Sequence, residues 1–391
     1  MGVLSYFRTM QKQCYEKDFK LGVLGGGQLG RMLIQEAINL NISVHTLDPD
    51  AHAPCSEISN SFTHGSLTDY DTVMAFGADK DVLTIEIEHV NVKALEDLEA
   101  QGVKVFPQPA VLKMVQDKGI QKKFFIDNAI PTAPFRLVKN KKEVEGLRSE
   151  FPFMQKMRTG GYDGKGVTPL RNEDDLKNAF DAPSVLESFV DFETELSVIV
   201  ARNASGEVRT FPTVAMEFNK EANLVEYLYS PAPIDSSVEQ KAQEVAKDLA
   251  EKAGITGILA VEMFLTKSGE ILVNEIAPRT HNSGHQTIEG NITSQFEQHL
   301  RAILDLPLGS TAIIQPSVMV NLLGEKGHTG DAYYEGLNDI LKMEGAYVHL
   351  YGKKTTKPFR KMGHATVINP SLEQAVSLAQ SITQTLKIKT N

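Results

Sequence analysis

Residues 260–278 read AVEMFLTKSGEILVNEIAP. Two apolar runs flank Ser268-Gly269, and each carries one acid, Glu262 and Glu275. If Ser268-Gly269 is a two-residue turn, Lys267 pairs with Glu270, Leu265 with Leu272, and Glu262 with Glu275. Carboxylates directly opposite on adjacent strands repel, and burying both is costly. A divalent cation relieves both costs, and Mg2+ takes one or two carboxylates together with substrate phosphates. A three-residue loop slips the register by one, so that Glu262 meets Asn274, another oxygen ligand. The competing reading is a carboxylate pair that shares a proton or is bridged by a lysine.

The next residues are Pro278-Arg279-Thr280-His281-Asn282-Ser283-Gly284-His285, a dense polar run that reads as an anion or substrate loop. Its two histidines lack the further ligands a zinc site needs. Upstream, residues 156–166 read KMRTGGYDGKG, with Gly160, Gly161, Gly164 and Gly166 among Lys156, Arg158 and Lys165. A Gly-rich hairpin with cations at its base can close over a polyphosphate and exclude water. It lacks the Gly-Lys-Ser/Thr ending of a Walker A loop. A plain Asp-Gly surface turn is the alternative, but that needs one glycine rather than four. Near the C-terminus Lys353, Lys354, Lys357, Arg360 and Lys361 cluster. They form either a solvated face or a patch for a substrate phosphate.

A different glycine cluster opens the chain. Residues 21–24 form a short apolar strand, GGGQLG follows, and a helix spans about 28–39 with Leu29, Met32, Leu33 and Ala37 on one face. A second strand, 42–47, ends at Asp48-Pro49. This order predicts a parallel sheet. Gly25, Gly27 and Gly30 fit G-x-G-x-x-G, and Asp48 sits where a ribose-binding acid would be. A dinucleotide, another phosphorylated ligand and mere tight packing all account for it. Strands at 82–87 and 103–106 and helices at about 69–78 and 92–100 complete the region, and a helix over about 113–128 leads out of it.

Beyond residue 131 strands alternate with Gly-rich turns: 153–158, 184–189, 195–201 and 207–213. A helix over 237–253 precedes the hairpin, another covers 294–303, and the last part has strands at 318–322, 347–350 and 364–368 and a helix at 372–385. Residues 1–19 read as an extension with a short helix and no export signal. The expected domains are 20–118, 119–311 and 312–391.

The chain has 391 residues, 41% hydrophobic and 23% charged, with a net charge of −10. That balance suits several soluble domains and argues against a general nucleic-acid binder. Cys14 and Cys55 are too few for a disulfide scaffold. No apolar run approaches the ~20 residues of a membrane span. The expectation is a cytoplasmic protein with small-molecule ligands, without nucleic-acid or membrane partners.

Lid, hinge acids and paired glutamates together resemble the ATP-grasp superfamily. Within it GGGQLGRML, KMRTGGYDGKG, NEIAPRTHNSGH and KPFRKMGH are similar to the N5-carboxyaminoimidazole ribonucleotide synthases, from about Lys20 to the C-terminus. The resemblance implies a mixed α/β and α+β fold: a Rossmann-like N-terminal domain, a central ATP-grasp domain and a small β-rich C-terminal domain, in a homodimer. It implies that ATP phosphorylates bicarbonate to carboxyphosphate in purine synthesis. The amine of 5-aminoimidazole ribonucleotide then takes the carboxyl group through released CO2, leaving ADP and phosphate.

By the same resemblance Lys118 and Lys156 contact ATP phosphates, and Gly160, Gly161, Gly164, Lys165 and Gly166 belong to the lid. In VLESFVDFETE, Glu187, Ser188, Phe189 and Val190 form the adenine hinge, and Glu195 binds ribose. Glu262 and Glu275, with Asn274 adjacent, hold Mg2+, with Mn2+ as an alternative ion. Gln28, Leu29, Glu86 and Asn282 line the nucleotide substrate site, and Lys353, Arg360 and Lys361 hold its phosphate. Tyr162 and Asp163 reach the amine, and Arg279 and His281 bind bicarbonate or carboxyphosphate. Ala215 departs from the pattern, which has an acid or histidine there; Glu217 is the candidate to supply that contact. The rival within the superfamily is the formate-dependent glycinamide ribonucleotide transformylase. An NAD-dependent dehydrogenase explains the first glycine cluster only.

Overall fold

The computed structural model describes residues 12–161, 165–219 and 224–390. The first domain is built on a five-stranded parallel sheet in the order Ser61–His64, Val44–Asp48, Leu21–Leu24, Val82–Ile85, Lys104–Val105. Chain order reverses between Leu21–Leu24 and Val82–Ile85, so a crevice opens beyond their C-terminal ends. Gly25 follows one of these strands and Glu86 the other, which puts the glycine turn and an acid in the same crevice.

One helix was expected at the domain's exit, but there are two, Pro109–Val115 and Lys118–Asp127. The chain breaks at Asp117, whose backbone is extended and whose side chain caps the second helix at Gly119 and Ile120 N–H. An Asp that satisfies two orphan amides makes a new helix start cheaper than continuation. Lys118 is thereby the first residue of a helix rather than one in its middle.

The central region holds a four-stranded antiparallel sheet, in the order Phe135–Val138, Ser184–Ser188, Phe153–Met157, Val167–Leu170. The largest sheet contains nine of the described strands. Its main path runs Ile271–Ala277, Gly257–Thr266, Phe192–Arg202, Val214–Asn219, Leu224–Ser230, Ser317–Leu323, Lys361–Ile368, Ala346–Leu350. Val214–Asn219 and Leu224–Ser230 were not anticipated from the sequence. They carry hydrogen bonding straight into the C-terminal part, with Tyr227 opposite Val320. Ser317–Leu323, Lys361–Ile368 and Ala346–Leu350 therefore extend the central sheet, and Leu372–Thr385 covers them through Ala375, Ala379 and Ile382, while Gly330–Glu335, Thr355–Thr356 and Lys387–Thr390 form a separate small sheet. Behind the central strands, Ser236–Ala253 packs Ala242, Ala246 and Leu249 against Leu196, Val198 and Val261. In the N-terminal extension residues 12–18 form turns, and the expected short helix otherwise falls outside the described residues.

Candidate active site

The hairpin of residues 257–277 brings Glu262 opposite Glu275, though not by the expected route. The two-residue turn does not form. Thr266 N–H donates to the Glu270 carbonyl at 2.9 Å, and Leu265 pairs with Ile271 rather than Leu272. The three-residue loop Lys267-Ser268-Gly269 forms instead, and with it the register slips by one near the turn, as that alternative requires. A bulge at Asn274 takes up the slip, because Met263 pairs with Val273 and Glu262 with Glu275, leaving Asn274 without an opposite residue. A bulge re-aims side chains. Here it lets the consecutive residues Asn274 and Glu275 reach one group of cations: Lys156 Nζ donates to Asn274 Oδ1 at 2.8 Å, and Lys118 Nζ to Glu275 Oε1 at 2.7 Å.

The carboxylates differ in charge state. Burial, then repulsion from Glu275 and Glu195, raises the Glu262 pKa to about 7. Burial also lifts Glu195 to about 7, against the pull of Lys156. At Glu275 burial is outweighed by Lys118 and Lys156, and its pKa falls below the usual carboxylate value. The donors here, Glu262, Glu275 and Asn274, are all hard oxygens. Among the described residues no group of three or more His, Cys, Asp or Glu converges as a metal site. Two carboxylates completed by phosphate oxygens suit Mg2+.

Glu187 is 4% exposed and held by two lysines, Lys156 at 2.8 Å and Lys122 at 3.0 Å. Burial opposes its ionisation, but the two ammonium groups win, and its pKa is lowered. Lys122 also donates to Thr132 Oγ1 at 2.6 Å. Burial brings the Lys122 pKa down to about 8. Sequence reasoning missed Lys122. Its signal was the four-residue spacing from Lys118, which puts both lysines on one helix face. Ser188 N–H bonds the Pro134 carbonyl at 2.9 Å, Phe189 is 41% exposed and Val190 is half-buried. Phe192 stacks on Phe264, which pairs with Glu195, and makes a flat apolar wall beside that acid.

At the base of the glycine hairpin Met157 N–H bonds the Gly166 carbonyl at 2.8 Å. Gly160 and Gly166 have φ of +77° and +75°, and a Cβ on Gly161 would lie 2.9 Å from the Lys165 carbonyl. Tyr162, Asp163 and Gly164 lie outside the described residues.

Beyond the hairpin, Arg279 pairs with Glu88 of the first domain at 2.8 Å. His281 Nδ1 accepts from Ser283 N–H at 3.3 Å, so the ring proton sits on Nε2, which faces Glu262 Oε1 at 3.5 Å. Burial, then the charges of Arg279 and Lys361, keep this ring neutral. Asn282 and Asn321 exchange side-chain hydrogen bonds at 2.9 Å. Lys353 Nζ joins Gln28 Oε1 at 2.7 Å and the Lys361 carbonyl at 2.6 Å. Arg360 bonds Thr355 through its carbonyl and its hydroxyl at 2.7 and 2.9 Å. The side chain of Leu29, 9% exposed, packs with Met32 and Leu33 in the core, so only its backbone is left for a ligand.

The first glycine turn is filled by the protein itself. Gly27 and Gly30 N–H both donate to the Glu86 carboxylate, and Gly26 N–H donates to Asp48 at 2.7 Å. A Cβ on Gly27 would lie 2.5 Å from Glu86 Oε1. A carboxylate occupies the place where a dinucleotide would put its pyrophosphate, and Asp48 is bound to the turn rather than presented to a ribose. The amides of Gly26, Gly27 and Gly30 are thus taken by internal acids, which argues against the dinucleotide reading of this cluster.

Ala215 is 4% exposed and packs against Ala242, Ala246 and Leu249, on the face of the sheet opposite Glu195. The next residue, Met216, is the one that pairs with Glu195. Glu217 receives the Tyr229 hydroxyl on that same rear face. Neither side chain enters the cleft, so Glu217 does not replace the contact whose loss Ala215 suggested.

Paired carboxylates flanked by lysines, and a glycine hairpin between two sheets, are the features of an ATP-grasp protein. Residues 123–296 match the ATP-grasp domain, residues 19–116 the ribonucleotide synthetase preATP-grasp domain, and residues 317–377 the phosphoribosylaminoimidazole carboxylase C-terminal domain. The N5-carboxyaminoimidazole ribonucleotide synthase of Bacillus subtilis is 37% identical over 91% of this chain and 93% of its own length. The Thermotoga maritima N5-carboxyaminoimidazole ribonucleotide synthetase structure superposes with a TM-score of 0.87 at 42% identity, over 95% of this chain and 100% of that one. The Aspergillus clavatus N5-carboxyaminoimidazole synthase, in complex with ADP and 5-aminoimidazole ribonucleotide, gives 0.86 at 36% identity, over 94% and 98%. The chain belongs to the N5-carboxyaminoimidazole ribonucleotide synthase family. It spans about two thirds of the length of the fungal phosphoribosylaminoimidazole carboxylases it also matches, as in Ogataea methanolica at 39% identity, 90% of this chain and 67% of that protein. No helix among the described residues is long and apolar enough to cross a membrane.

Proposed function

We propose that this chain carboxylates 5-aminoimidazole ribonucleotide at its amine, using ATP and bicarbonate, through carboxyphosphate. The observation that carries this reading is the position of Lys361. Its charge reaches both Glu262 and His281, and its backbone carbonyl holds Lys353. Lys361 thus adjoins both the cleft lined by lysines and carboxylates and the basic C-terminal patch, which supports reading the two as the ATP end and the nucleotide end of one site.

Within it Lys118 and Lys156 neutralise the ATP phosphates, while Glu187, Ser188, Phe189 and Val190 hold adenine and Glu195 the ribose. Glu262 and Glu275, with Asn274 alongside, would hold Mg2+, which would supply charge neutralisation for phosphoryl transfer. Arg279 and the Nε2–H of His281 present donors to bicarbonate and then to carboxyphosphate. A neutral ring that donates from Nε2 stabilises an oxyanion and takes no proton there. Gln28, Asn282, Lys353, Arg360 and Lys361 hold the nucleotide substrate, with Glu86 fixing the turn beneath Gln28. Tyr162 and Asp163 act on the amine from the lid, and the lid glycines Gly160, Gly161, Gly164 and Gly166, with Lys165, exclude water from carboxyphosphate. We place the enzyme in the cytoplasm as a homodimer, which sedimentation at micromolar concentration tests.

The deciding assay measures ADP release from MgATP and bicarbonate, with and without 5-aminoimidazole ribonucleotide. Glycinamide ribonucleotide plus formate is run alongside. Release that depends on the aminoimidazole nucleotide is expected; release with the glycinamide pair alone overturns the assignment in favour of the transformylase.

A further inference from the structure

Lys118 and Lys156 come from different elements, a helix start and a sheet strand, yet both must point at one phosphate chain. What fixes their separation is a clamp that touches neither ammonium group. Asp117 caps the helix through Gly119 N–H at 2.8 Å and Ile120 N–H at 3.2 Å. The same carboxylate takes a two-pronged bond from Arg158, Nε to Oδ1 at 2.8 Å and Nη2 to Oδ2 at 2.6 Å. Arg158 lies two residues beyond Lys156, and its own carbonyl accepts Lys118 N–H at 2.9 Å. The strand end and the helix start are tied in both directions, by side chain and by backbone.

Gly119 completes the arrangement. A Cβ there would lie 2.5 Å from Arg158 Nε and 2.9 Å from its Cζ. The guanidinium lies against the helix start, and it cannot move aside without giving up the fork. Fork geometry of this kind is specific to Arg.

We infer that Asp117 and Arg158 are positioning residues for ATP, which hold Lys118 and Lys156 at phosphate-binding separation, and that Gly119 is required to admit the Arg158 guanidinium. This rests on the reading above that the two lysines hold ATP phosphates.

The test uses three variants of the full chain and MgADP binding by calorimetry, with thermal unfolding in parallel. Asp117→Asn keeps a good helix cap but loses the charged fork. Arg158→Lys keeps the charge and loses the planar pair. Gly119→Ala removes no polar atom and raises helix propensity. Each should weaken MgADP binding and raise the ATP KM roughly tenfold, and leave the KM for the nucleotide substrate unchanged. In Gly119→Ala the helix-propensity gain offsets part of the lost fork, so MgADP affinity should fall well beyond what the change in melting temperature accounts for, which a purely structural role would not produce. Wild-type MgADP affinity in both Asp117→Asn and Gly119→Ala overturns the inference. Failure of the wild-type chain itself to bind MgADP overturns the ATP-site reading, and the inference with it.

Discussion

The two glycine-rich turns use the same local chemistry to opposite ends. At Gly25–Gly30 the exposed amides face a crevice, and the protein closes it with its own Glu86 carboxylate. At residues 156–166 the hairpin starts from Lys156, whose ammonium reaches Asn274 and Glu187, next to Glu262 and Glu275, which repel one another. A glycine turn therefore does not by itself announce a ligand. What counts is whether the chain supplies the anion: in the first turn it does, and in the second, on the function proposed above, ATP phosphates and Mg2+ would.

The comparison breaks most visibly at Glu275. Glu275→Ala should lower turnover by roughly 10²–10³-fold, while circular dichroism and the melting temperature stay near wild type. Normal turnover would remove the metal assignment. Next comes Lys122→Met, which leaves the buried Glu187 with one cation. Breaking a buried pair costs about 3 kcal/mol, so a clear drop in urea midpoint and in ATP affinity is expected. An unchanged midpoint would show that Lys156 suffices.

Glu86→Ala sharpens the contrast directly, since it turns the filled crevice into an open anion site. Unfolding should become easier by about 2 kcal/mol, and sulfate should raise the melting temperature of the variant more than that of wild type. Equal sulfate responses would contradict this account of the turn.

The metal-free protein should also carry a pH signature. Burial raises Glu262 to about 7, above its unfolded value. Its contribution to stability is present below the unfolded pKa and lost as pH rises through about 7. Melting temperature should accordingly fall between roughly pH 4.5 and 7, less steeply in Glu262→Gln, and MgADP should recover more of it at pH 8 than at pH 5.5. A slope that Glu262→Gln leaves intact would assign it to other groups. Arg360→Ala carries the smallest effect, a several-fold rise in the nucleotide KM with ATP binding unaltered; an unchanged KM would remove Arg360 from the phosphate site.

Much of this was legible in the chain. The facing of Glu262 and Glu275 follows from an apolar hairpin with one acid on each arm. The parallel first sheet follows from strand, glycine turn, helix and strand in that order, and the lid composition is visible in four glycines beside three cations. These are local patterns, and local sterics and hydropathy decide them. Tertiary structure decided the rest. The slip of one follows from the three-residue loop that the sequence allows, but the bulge at Asn274 that cancels it is not given by any turn rule, because it is fixed by what both strands pack against. Asp117 starts a new helix by a local cap, but its second role, holding the Arg158 guanidinium, depends on a strand end 41 residues further on. Glu86 reaches Gly27 and Gly30 from 56 to 59 residues away, and Lys122 becomes part of the site only when Glu187 is buried beside it. Each depends on charges or amides brought together by folding, and their partners are distant in sequence.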